Sequence, residues 1–62
     1  MKKLWELEPN FYHVIDNETN KIVAIIMGRP FEGVWVATEP RTGKILATDS
    51  RKADLFRKLG VS

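Results

Sequence analysis

The chain has 62 residues, with ten Lys and Arg against eight Asp and Glu, a net charge of +2. That length sets the expectation of a single small domain over residues 1–62, able to bury only about 60% of its unfolded surface. The mild basicity permits nucleic-acid contact without requiring it. Cysteine is absent, which excludes disulfides and thiolate metal sites, and the one histidine, His13, cannot hold a metal alone.

Chains this small usually take extra support from disulfides, a metal or a partner. With the first two removed, a partner subunit is the expected support, and no cofactor is expected. The lack of Cys suits a reducing compartment, so a cytoplasmic location is expected. The longest apolar run, Ile22 to Met27, is far too short to span a bilayer. Glu6 and Glu8 interrupt any apolar stretch behind the basic start, so no secretory leader is expected.

In chain order, residues 1–10 are ambiguous: Leu4, Trp5 and Leu7 either add a short edge strand or cover an open side of the core. Residues 11–27 then read as a β-hairpin. Phe11 to Asp16 is rich in aromatic and β-branched residues, residues 17–20 supply turn chemistry, and the strand resumes from Lys21. The segment GRPFEG, residues 28–33, has glycine at both ends and a central proline, which marks a loop. Residues 34–48 read as a second hairpin, with its turn at 40–43.

The two hairpins repeat one phrase. DNETNKIVA, from Asp16, and EPRTGKILA, from Glu39, are offset by 23 residues. Each four-residue loop needs a turn starter and a left-handed residue at its end; Asn20 and Gly43 hold that last place. Convergence on one turn solution accounts for the repeat, with an ancient duplication as the alternative.

Residues 50–59 read as a helix, capped by Asp49 or Ser50. Ala53, Phe56 and Leu59 form an apolar stripe with Leu55 beside it. Arg57 and Lys58 suit the end of the helix dipole. Gly60 is the left-handed stop, from which Val61 folds back. The expected fold is α+β: a four-stranded antiparallel meander with one C-terminal helix packed on one face. Over about residues 11–60 this order of elements is similar to that of the AP2-type and integrase arm-binding domains. In those domains a small sheet backed by a helix enters the DNA major groove. The resemblance rests on element order and transfers no functional residue.

Strict strand alternation assigns the faces. Phe11, His13, Ile15, Ile22, Ala24 and Ile26 fall together, continued by Val34, Val36, Ile45 and Ala47. Tyr12, Val14, Val23, Ile25 and Met27 fall on the other side, continued by Trp35, Ala37 and Leu46. Both faces are apolar, and one short helix covers only one, so the N-terminal LWEL wraps over the second, the sheet curls into a small barrel, or another chain covers it; the last is the leading expectation. The expectation is that the helix covers Ile15, Ile22, Val36 and Ile45. That leaves Tyr12, Val23, Ile25, Met27, Trp35 and Leu46 as a protein-interaction surface, anchored by Trp35 and Met27.

No catalytic constellation is present. The serines lack a nucleophile-elbow context, GRPFEG lacks the Lys-Ser/Thr ending of a phosphate loop, and the acids lie on turns and helix ends. His13 reads as a packed, hydrogen-bonded residue. Arg29, Arg51 and Lys52 are expected at one end of the meander, where they could meet phosphates near Trp35, Tyr12 or Phe31. The expected function is a non-enzymatic regulatory or adaptor module acting through protein–protein contact and self-association. The alternative is a DNA- or RNA-binding domain. No small-molecule substrate and no membrane partner is evident.

Overall fold

The structure is a computed structural model that describes residues 2–61. Five strands, β1 (Lys2–Glu8), β2 (Phe11–Asp16), β3 (Ile22–Arg29), β4 (Val34–Thr38) and β5 (Ile45–Asp49), precede one helix, α1 (Lys52–Lys58). The strands form one antiparallel sheet in chain order, β1-β2-β3-β4-β5. The α+β class and the meander hold, with five strands rather than four.

The added strand is β1, paired to β2 from Lys2↔Asp16 to Glu8↔Phe11. Its apolar signal is thin because it is an edge. Lys2, Lys3, Glu6 and Glu8 place charge along the exposed side, a pattern that discourages pairing with another chain. Leu4 turns inward and packs against the core. The Lys2 ammonium donates to the Leu59 carbonyl at 3.1 Å, and Lys2 bridges Val61, so the far end of the chain closes onto the first strand.

The repeated phrase is a repeated turn with the same backbone hydrogen bonds. Asn20 N–H donates to the Asp16 carbonyl at 2.8 Å, and Gly43 N–H donates to the Glu39 carbonyl at 2.8 Å. Asp16 N–H and Glu39 N–H close the loops onto the carbonyls of Lys21 and Lys44. Inside the loops, Asp16 Oδ1 accepts from Glu18 N–H, and Glu39 Oε2 accepts from the N–H groups of Arg41 and Thr42. Thr19 and Thr42 each accept from the backbone N–H of the following lysine. The Arg41 N–H, then the Thr42 hydroxyl and N–H, hold the Glu39 carboxyl below the usual carboxylate range. Asn20 has φ 58° and Gly43 φ 74°, the left-handed values that the sequence implies.

A further shared feature lies just beyond each turn. Ile15 pairs with Ile22, but Val14 pairs with Ala24, so Val23 is an extra residue. Thr38 pairs with Ile45, but Ala37 pairs with Ala47, so Leu46 is an extra residue. Both are β-bulges, 23 positions apart, and each reverses the alternation of everything that follows it on the returning strand. The faces drawn by strict alternation are therefore wrong beyond the bulges. Tyr12 and Val14 share a face with Ala24 and Ile26, while Phe11 and His13 share the other with Met27 and Ile25.

The helix lies on the side of Tyr12 and Val14, opposite to the side expected. Its contact there is the buried cluster of Tyr12, Val14, Ala24, Ile26, Ala37 and Leu55. Leu55 is fully buried, flanked by half-buried Phe56 and Leu59, whereas Ala53 is exposed. The apolar stripe is thus centred on Leu55. The helix is also shorter than residues 50–59. Arg51 occupies the N-cap position without a side-chain cap, and Asp49 acts two residues earlier. Its Oδ1 accepts from Arg51 N–H at 3.1 Å and its Oδ2 pairs with the Lys58 ammonium at 3.0 Å. The Lys58 contact, then the Arg51 N–H, lower the Asp49 pKa. The chain stops at Gly60, φ 73°, where Val61 N–H returns to the Phe56 carbonyl as anticipated.

Gly43→Val should lower stability by about 1–2 kcal/mol, since a β-branched residue resists positive φ and nothing else surrounds that position. Asn20→Gly should be neutral or slightly stabilising for the same reason. Urea melts of both variants check this; an unchanged midpoint for Gly43→Val would contradict the turn.

Candidate interaction surface

The register places the helix-free side chains in rows across the sheet. Trp5, His13, Ile25, Thr38 and Ile45 are mutual cross-strand partners, one from each strand. Phe11, Met27, Val36 and Thr48 form the next row, and Lys3, Ile15 and Ile22 a third. Among the described residues, the helix packs on the other face and leaves these rows uncovered. Trp5 and Ile45 are each 59% exposed, and Met27 and Ile22 each 43%. Ile15 and Val36 are buried among their own neighbours, and the Phe11 and His13 rings lie 5.5 Å apart. Among the described residues, charges stand only at the margins, at Lys3, Glu8 and Arg29, and Arg29 is paired with Glu32 at 3.5 Å. A shallow depression of about 400 Å³ lies at one corner, lined by Lys3, Leu4, Trp5, Ile15 and Asn20.

The six residues expected to make the interaction surface divide between the two faces. Ile25 and Met27 lie on the open face. Tyr12 belongs to the buried core, and Val23 and Trp35 pack against that core as half-buried neighbours. Leu46, the bulged residue of β5, is exposed at the sheet edge. Trp35 is held rather than offered. Its ring lies against Gly28, where an added Cβ would stand 2.8 Å from Cζ3 and 2.9 Å from Cη2. The Lys52 ammonium lies 5.7 Å from the Trp35 ring and 5.4 Å from the Tyr12 ring, and donates to the Tyr12 hydroxyl at 3.1 Å.

Arg29, Arg51 and Lys52 lie toward one end of the sheet, with Arg29 at the margin of the open face. Arg29, Trp35 and Ser50 line a common cavity of about 150 Å³ with the loop after β3. Arg51 is exposed beside it, and Lys52 is engaged over the two aromatic rings. Phe31 is fully exposed at the tip of that loop. Sequence reasoning missed Trp5, Phe11, His13 and Ile45 as surface residues. The signal available was the 23-residue repeat itself, read through to the strand after each turn rather than to the turn alone.

Among the described residues, no group of three or more His, Asp or Glu is placed to hold a metal ion, and no buried polar side chain lacks a partner. No helix among the described residues is long and apolar enough to cross a membrane. Compared with protein families, curated proteins and solved structures, the chain finds no match in any of the three.

Gly28→Ala should lift the Trp35 indole from β3, lowering stability by about 1–3 kcal/mol and shifting tryptophan emission to the red. Urea melts followed by fluorescence read both effects. An unchanged midpoint would mean that the indole is free to move, and Trp35 would return as a surface candidate.

Proposed function

We propose that the protein is a small non-enzymatic binding module, regulatory or adaptor in kind, that works through protein–protein contact on its open sheet face. One observation carries this reading. Large apolar side chains from all five strands share a face that the chain's single helix leaves uncovered. Antiparallel sheets with a solvated face normally carry polar residues there. A contiguous exposed apolar area is characteristic of an interaction site. Trp5 and Met27 supply the residue types that anchor such contacts: a large rigid aromatic and an adaptable thioether.

The nucleic-acid reading has less behind it. The face that would enter a groove offers isoleucines and aromatics where phosphates need cations, and the central rows carry no lysine or arginine except Lys3 at an edge.

Ile25 stands at the centre of the face and outside the buried cluster, so Ile25→Lys tests the reading with the fold retained. The wild-type chain should be found in assemblies heavier than one chain, alone or in nuclease-treated extract. The variant should sediment as a single chain with an unchanged circular dichroism spectrum, its affinity reduced at least about tenfold. Identical mass distributions for the two would overturn the proposal.

A further inference from the structure

We infer that the occupant of the open face is a second copy of this chain, docked about a two-fold axis that lies between the two facing sheets, over Ile25 and parallel to β3. The inference rests on the protein-contact reading above and goes further, to the partner and its register.

The central row is the reason. From β1 to β5 it reads Trp5, His13, Ile25, Thr38, Ile45. A two-fold axis along the middle strand reverses the row on the facing copy. Ile25 then meets Ile25, His13 meets Thr38, and Trp5 meets Ile45. Apolar falls on apolar and polar on polar, the self-complementarity that a two-fold interface requires. An axis across the strands would instead set each His13 against its own copy. The Thr38 hydroxyl donates to the Ile25 carbonyl at 3.4 Å within its own chain, which leaves its oxygen to accept from a facing imidazole N–H. The next row follows the same rule: Met27 meets Met27 and Phe11 meets Val36. Trp5 and Ile45, equally exposed in the lone chain, cover each other.

The size of the face fits. Five strands at about 4.8 Å spacing and three rows along them give a plan of roughly 24 by 18 Å. Two such faces with corrugated side chains bury about 1,000 Å², the lower bound for a specific interface. Packed sheets cross at about 30°, which displaces the ends of the row by about 5 Å, within the span of an indole. The product is a four-layer assembly with both helices outside, and it leaves no sheet face bare.

The edges offer no equal alternative. β1 carries four charges along its length, and β5 is interrupted by the Leu46 bulge, with the Lys58 ammonium on the Thr48 carbonyl at 3.0 Å. Bulges and edge lysines oppose strand addition.

Trp5 and Ile45 are exposed, so substitutions there leave the lone chain folded. Trp5→Lys and Ile45→Glu should each weaken the dimer at least tenfold in sedimentation equilibrium. An equimolar mixture of the two should recover it, because the mixed pair opposes Lys to Glu at one contact and keeps the native Ile45–Trp5 contact at the other. The wild type supplies an independent reading by NMR. Trp5 and Ile45 are four strands apart in one chain, about 19 Å, so an NOE between the indole and the Ile45 methyls can arise only across the dimer. A wild-type chain that is monomeric at NMR concentration would overturn this inference while leaving other protein partners to the Ile25→Lys comparison. A dimer that survives both single variants, or a mixture that stays monomeric, would overturn the proposed register.

Discussion

Two extra residues, Val23 and Leu46, determine which side chains share a face. Without them, the pairing that begins at each turn would continue in step, and Ile25 would stand opposite Tyr12. With them, Ile26 stands there, and Ile25 is turned to the opposite side beside His13. A single-residue slip moves a whole strand's side chains between core and solvent, so the helix can seat only on the face that the bulges prepare. That face presents Ala24, Ala37 and Ala47 around Tyr12, Val14 and Ile26. The small residues leave room for Leu55 to descend between them, with Phe56 meeting the Tyr12 ring edge-on at 5.4 Å. The opposite face, built of larger residues and left uncovered by the helix, is a consequence of the same two insertions.

Much of this was legible in the sequence where chemistry is local. Asn20, Gly43 and Gly60 were readable as left-handed positions because few residue types tolerate that backbone, and all three adopt it. The hairpins, the loop between them and the helix followed from turn residues and periodicity. The first strand stayed open between an edge strand and a cover for the core, because its charges serve the edge and thin its apolar pattern. The bulges were invisible to alternation, since Val23 and Leu46 are as apolar as their neighbours and no glycine marks them. The candidate surface inherited that error: it joined Tyr12 and Trp35, which the helix side claims, to Ile25 and Met27, which it does not.

The functional reading follows from the limits of size. A chain of 62 residues with eight buried apolar side chains among its described residues and no cysteine has little core on which to stand. It nevertheless exposes tryptophan, isoleucine and methionine together on one flat surface. Ion pairs and edge charges protect the strand edges, and the turns are tied by side-chain hydrogen bonds. The open face is the surface that the chain's own elements leave uncovered, and its residues are those from which interface centres are built.

The face assignment is most directly tested by side-chain NOEs in the isolated chain. The account predicts that Tyr12 and Val14 show contacts to Ile26 and Leu55, and that His13 shows contacts to Ile25 and Trp5. Contacts from Tyr12 to Ile25, with His13 against Ala24, would mean that the strands pair without the bulges. The helix-free face would then hold a different set of residues, and the proposed surface would be wrong.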